Sequence, residues 1–332
     1  MNWTLRYAAH LGFRSPEAPL FPASAASSDP LAQIDFAASI GFAGVQDPWF
    51  ASRPASVQGG LAARIRERGL VAGCIVCGSP STIRASSWTR VDGASRANLE
   101  RELSAAFGAA RRLGSRQIVV LTGADADTPR QMQIERFVSN LAWAAPRLAD
   151  EGLTLCLEPI DARAIPDVLM NHFPEGCDIA RAVGHPAVRM VFDTAHVQSM
   201  DGDLLSNLER AFDLIEIVQI ANHPGRAEPE IGEINMAAVL TKAYQLGYRG
   251  LVELEHIWAK PGLDAERRAV DWLGRTDAAL ASVQTREEPG PVERHNGGGG
   301  PDRGAEVAVR GPLAGKQARD VVDATDEKRN SY

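Results

Sequence analysis

Four oxygen-bearing side chains stand at the ends of apolar runs: Glu158 in "LTLCLEPID", Asp193 in "VRMVFDTAH", Gln219 in "IEIVQIANH" and Glu255 in "LVELEH". A carboxylate that closes a buried run is costly unless something compensates its charge. Three acids and one amide suit a hard divalent cation such as Mg²⁺ or Mn²⁺ rather than a Cys-rich zinc site. The competing reading pairs these acids with arginines or leaves them solvated. A cation gripping the carbonyl and adjacent hydroxyl of an α-hydroxycarbonyl compound would acidify the C–H between them and stabilise the enediolate. His196, three residues after Asp193, is near enough to reach the same place, although such a histidine alone more often packs or caps. Arg226, after Gln219, carries a planar fork suited to a carboxylate, with a surface salt bridge as its bland alternative. Cys74 and Cys77 in "VAGCIVCGS" form C-x-x-C, but the apolar, strand-like setting reads as buried core rather than a redox or metal pair.

The elements that must position these groups alternate along the chain. Strands are expected at Leu5–Leu11, Gly44–Gln46, Val71–Val76, Gln117–Leu121, Thr154–Glu158, Val188–Asp193, Ile215–Ile220 and Leu251–Glu255. Helical spacing fills Leu31–Ile40, Val57–Arg68, Arg96–Leu113, Pro129–Asp150, Cys177–Val183, Leu204–Phe212, Met236–Leu246 and Ala265–Val283. Glycines in "SIGF", "ERGL", "RRLGS", "DEGL" and "QLGY" supply left-handed caps. Eight strand–helix repeats predict an α/β fold, a closed (β/α)₈ barrel, whose open rim at the strand C-termini is where reactive groups gather. The four oxygen ligands then lie on strands five to eight at one level. An open sheet would want G-x-G-x-x-G after its first strand, and "AAHLGFRSP" lacks it.

The chain of 332 residues, 45% hydrophobic and 23% charged, can bury one large core. Residues 1–283 read as the barrel domain; from residue 284 a Pro/Gly-rich, aperiodic stretch reads as a disordered tail. A formal charge of −7 and a pI near 5.6 disfavour nucleic acid and anionic membranes as partners, leaving small molecules. Neither a spanning run nor a secretory signal is evident, and four cysteines suit a reducing compartment, so a cytoplasmic location is expected. A homo-oligomer is open, since no motif fixes a subunit number.

Taken together, "LEPID", "FDTAHVQSMDGDL", "VQIANHPGRAEPEIGEINM" and "LGYRGLVELEH" resemble the hydroxypyruvate isomerase branch of the xylose isomerase-like TIM barrels, which also contain ketose 3-epimerases. The resemblance runs to about Leu280 and is strongest from Leu153 to His256. It implies that Glu158, Asp193, Gln219 and Glu255 bind the metal, that Glu158 and Glu255 double as the catalytic acid/base pair, and that His196 and Arg226 hold substrate. The implied reaction converts hydroxypyruvate to tartronate semialdehyde, or isomerises a related sugar acid. A ketose 3-epimerase, a dehydratase or lyase, and a non-catalytic sugar-acid binding protein are the alternatives.

Three positions depart from the family pattern. Gln46 in "GVQDPWF" stands where relatives commonly have Glu, and an amide cannot act as a base. Ala227 replaces a histidine in the loop after strand seven, and Glu253 occupies a place usually small. Glu253 shares the parity of Glu255 and is expected either to pair internally with Arg6 or to reshape the pocket.

Overall fold

The computed structural model describes residues 2–78 and 87–287. Its strands are β1 (Arg6–His10), β2 (Gly44–Gln46), β3 (Val71–Ala72), β4 (Ile75–Val76), β5 (Gln117–Val120), β6 (Thr154–Leu157), β7 (Val188–Asp193), β8 (Ile215–Ile220) and β9 (Leu251–Leu254). They pair in parallel, in the order β3-β2-β1-β9-β8-β7-β6-β5-β4. Only Gly73 and Cys74 separate β3 from β4. Gly73 N–H donates to Val45 O at 2.8 Å on one side, and Cys77 N–H to Val119 O at 2.9 Å on the other. The chain itself joins the two ends of the order, so the sheet closes as a (β/α)₈ barrel whose third strand is interrupted. The continuous strand expected over Val71–Val76 is thus broken, because Cys74 N–H turns inward to the Glu253 carboxylate at 2.9 Å.

The helices are α1 (Pro30–Ser39), α2 (Ala55–Glu67), α3 (Gly93–Leu113), α4 (Arg130–Asp150), α5 (Phe173–Val183), α6 (Thr194–Met200), α7 (Leu204–Arg210), α8 (Met236–Gln245) and α9 (Leu263–Glu287). Short side chains set several starts: Asp29, Asp92 and Asn235 accept the N–H groups of Leu31, Ser95 and Ala238. Gly114 ends α3 in the left-handed region at φ 85°. The sequence pattern missed α6, a short helix of about two turns launched by Asp193. α9 continues to Glu287, past the expected end at Val283, and the remainder of the proposed tail lies outside the described residues.

The two-residue strand period sorts side chains between two cores. Ile118, Leu155, Phe192, Val218 and Val252 face outward and are buried beneath the helices. Val119, Cys156, Val191 and Ile217 face inward and pack with Cys74 and Val76 inside the barrel. Two residues beyond Cys156, Val191 and Ile217 stand Glu158, Asp193 and Gln219, so the inward parity that builds the inner core also delivers the polar groups to the rim. Below, Asp277 of α9 accepts Leu5 N–H at 2.9 Å and the Tyr7 hydroxyl at 3.0 Å, tying the first strand to the last helix.

Candidate active site

The register brings the expected residues together. Asp193 on β7 lies opposite Gln219 on β8, and Gln219 opposite Glu253 on β9, with Glu255 just beyond that strand. Glu158, Asp193, Gln219 and Glu255 are all buried, at 6%, 1%, 1% and 7% exposure, so each carboxylate has lost most of its water. One ligand atom from each of Glu158, Asp193 and His196 falls within 4.8 Å of the others, the spacing of a cation's donors.

Hydrogen bonds fix most of these groups. Asp193 caps α6 by accepting His196 N–H at 2.9 Å through Oδ1, while Oδ2 meets Arg226 at 2.6 Å. Gln219 Nε2 donates to Glu255 Oε1 and to Glu253 Oε2, both at 3.1 Å. Gln219 Oε1, equally buried, has no partner among the described residues. No described residue donates a hydrogen bond to the Glu158 carboxylate. An amide oxygen without a donor beside a carboxylate without one is what a cation-binding site presents when considered from its protein atoms alone. The donor set, all oxygen apart from a nearby imidazole, fits Mg²⁺ or Mn²⁺.

Arg226 is the cation that protein supplies. It stands at φ 59° in the loop after β8, and its Nε donates to Glu255 O at 3.0 Å. Nη2 bridges Asp193 and Glu255. The arginine expected to hold substrate therefore also lies against two of the expected metal ligands, as the ion-pair alternative anticipated. One guanidinium still leaves a cluster holding Glu158, Asp193, Glu253 and Glu255 short of positive charge. Its Nη1 is buried without a partner among the described residues.

The electrostatics follow. Burial, then the charges of Glu255 and Asp193, push the Glu158 carboxyl well above the usual carboxylate range. Burial raises Glu255 to about 8 against the pull of Arg226. Burial would raise Asp193 too, but Arg226 and His196 hold it below its ordinary value. Burial lowers His196 to about 4, so its ring is neutral. Asp161 N–H approaches its Nδ1 at 3.4 Å, which assigns the ring proton to Nε2.

A cavity of about 310 Å³ opens beside the cluster, lined by Arg14, Asp161, Arg163, His196, His223 and Arg226 among others. Asp161 is already bonded to Arg163 and Ser199, so the wall is predominantly cationic. Arg14 and Asp161 were not recognised in the sequence, since neither sits at a strand end. Arg14 and Arg226 flank the Phe13 ring, their guanidinium carbons 5.6 and 5.1 Å from its centroid.

The loop carrying Arg226 is organised by Asn222, also unrecognised. Its Oδ1 accepts His223 N–H and Ile234 N–H, both at 2.9 Å, and its Nδ2 donates to Pro229 O at 2.8 Å. A Cβ on Gly232 would lie 2.2 Å from that Oδ1. Ala227 pairs its backbone with Asn222. Glu228 accepts Ala259 N–H and binds Arg268, pinning the loop's far end.

One of the departures resolves differently from expectation. Arg6 does not pair with Glu253: β1 sets Ala8 opposite Glu253 and Arg6 opposite Leu251, and the exposed Arg6 donates to Arg249 O. Glu253, 1% exposed, accepts Cys74 N–H at 2.9 Å and the Cys74 thiol at 3.2 Å, besides Gln219. Gln46 lies inside the cluster, with Nε2 3.4 Å from Glu255 Oε1 and Oε1 accepting the Cys74 thiol at 3.3 Å. Cys74 and Cys77 are free and buried, as expected, with Cys74 directly beneath the site.

Residues 34–276 match the family model described as xylose isomerase-like TIM barrel. The chain is 35% identical over 147 residues to the 2-oxo-tetronate isomerase of Cupriavidus necator, covering 43% of this chain and 56% of that protein. It is 29% identical over 260 residues to the putative hydroxypyruvate isomerase of Homo sapiens, covering 76% of this chain and 89% of that protein. A solved structure titled AP endonuclease, family 2, from Brucella melitensis matches with a TM-score of 0.69 at 25% identity, covering 82% of this chain and 99% of that one.

Proposed function

Because the chain belongs to the xylose isomerase-like TIM barrel family, we propose that it is a metal-assisted isomerase of a small α-hydroxy-oxo acid, hydroxypyruvate or a related sugar acid. The observation that carries this reading is the unpartnered Gln219 Oε1 among buried carboxylates, next to a cation-lined cavity. The relatives named as isomerases of hydroxypyruvate and 2-oxo-tetronate support the same reaction class.

In this reading Glu158, Asp193, Gln219 and Glu255 hold Mg²⁺ or Mn²⁺, which when bound supplies a Lewis acid to the substrate's carbonyl and neighbouring hydroxyl. Glu158 and Glu255 move the proton: one carboxylate removes it from the carbon bearing the hydroxyl, and the other group returns a proton to the adjacent carbon. Burial raises both carboxyls above their ordinary range, Glu255 to about 8, the direction a proton-carrying pair needs. His196 Nε2–H donates to a substrate oxygen, and the free Nη1 of Arg226 meets the carboxylate. Arg14, without an ion-pair partner among the described residues, gives the cavity wall the sign that suits an acid more than a neutral ketose.

The test is NMR in D₂O of the Mn²⁺-loaded protein with hydroxypyruvate, with a four-carbon 2-oxo acid and with free ketoses. Isomerised acid carrying solvent deuterium is expected. Ketoses epimerised at C3 with both acids untouched would overturn the reading in favour of an epimerase, which would use the same two glutamates.

A further inference from the structure

Glu253 is a buried acid that the proposed reaction leaves without a task, and among the described residues it has no ion-pair partner. Its contacts point to one. The Gln219 amide stands between two carboxylates, Glu253 Oε2 and Glu255 Oε1, each 3.1 Å from Nε2. An amide donates only from nitrogen, so two acceptors on one side dictate which way it faces. The nitrogen turns to the carboxylates and Oε1 to the opposite side, where it is unpartnered. The Glu253 carboxylate is itself held on the far side by Cys74 N–H at 2.9 Å and the Cys74 thiol at 3.2 Å. Gly73 makes room for it, since a Cβ there would lie 2.4 Å from Glu253 Oε1.

We propose that Glu253 is a positioning residue, whose carboxylate fixes the Gln219 amide with its carbonyl oxygen turned toward the cation. The inference rests on the metal-site reading above. A flipped amide would aim two N–H groups at the cation and turn a ligand into a repulsive group. Two substitutions separate this role from simple charge or packing. Glu253→Ala removes one of the two acceptors and leaves the amide held by Glu255 Oε1 alone. In Glu253→Gln the introduced oxygen takes Cys74 N–H and the introduced NH₂ faces Gln219, forcing its oxygen inward and its N–H groups toward the cation. Both variants lose the same charge, and the alanine leaves the larger cavity.

Positioning therefore predicts an order that neither electrostatics nor packing gives. Mn²⁺ affinity is read by competition with a chromogenic chelator, alongside melting of the metal-free proteins. Glu253→Ala is expected to bind Mn²⁺ about 10-fold more weakly than wild type, at the low end of the 10–100-fold typical of groups that orient metal ligands, and Glu253→Gln more weakly still. Affinity within twofold of wild type in Glu253→Ala, or Glu253→Gln binding as well as or better than Glu253→Ala, overturns the inference. Should Glu253→Gln not fold, the alanine variant decides alone. Wild type without Mn²⁺ affinity would sink the metal-site reading and this inference together, whereas binding wild type with unchanged variants sinks only the inference.

Discussion

Glu158 and Glu255 are asked to carry protons, a role that leaves a kinetic signature separable from metal binding. Replacing either by Gln keeps an oxygen ligand and removes the base, so turnover should fall about 10²–10⁴-fold with Mn²⁺ still bound. Unchanged turnover in both variants would dismiss the pair. A second residue-scale outcome concerns His10, which is fully buried, donates from Nε2 to His256 O at 3.0 Å and accepts Gly12 N–H at 3.1 Å. Burial lowers it from 6.5 to about 4. The unfolded chain takes up the proton near 6.5 and the folded one resists it. His10 therefore leaves stability intact above about pH 6.5 and reduces it as pH falls toward 4. At pH 5 the loss should be of order 2 kcal/mol. Urea unfolding of metal-free protein at pH 7 and pH 5 measures it, and the difference should shrink in His10→Gln.

The elements place these residues through loops as much as through strands. Asn222 alone ties three points of the segment carrying Arg226, and Asn222→Ala should cost about 2–4 kcal/mol in chemical denaturation by orphaning several buried backbone groups. A loss below 1 kcal/mol would show that the loop holds itself. The barrel was legible because its signals are local: apolar runs, helical spacing and glycine caps recur along the chain. The candidate site was legible for a related reason, since strand parity and strand ends bring Glu158, Asp193, Gln219 and Glu255 to one rim without tertiary knowledge. α6 escaped because seven residues following Asp193, about two turns, are too few to show a period. The partner of Glu253 escaped because it is set by inter-strand register, which places Ala8 rather than Arg6 beside it. The inward turn of Cys74 N–H breaks a strand that its own residues would make continuous.

For the whole molecule, a cation that binds only the folded barrel must stabilise it by mass action. Mn²⁺ at 100 times its dissociation constant should add about 2.7 kcal/mol. For a domain of this size that is roughly a 5 °C rise in Tm, reversed by EDTA. No helix among the described residues is long and apolar enough to cross a membrane. The interrupted third strand closes the ring at the point where Glu253 enters it, and this couples the space at position 73 to side chains of β2 and β9. A Cβ at position 73 would lie 2.4 Å from Glu253 Oε1 and 2.9 Å from Gln46 Cβ, so glycine there makes room for both strands at once. Gly73→Ala should be destabilising on its own and only partly relieved in a Glu253→Ala background, since the contact with Gln46 Cβ stays, with a coupling of about 1 kcal/mol in a double-mutant cycle. Additivity of the two substitutions would show that the Glu253 carboxylate and position 73 do not compete for the same space.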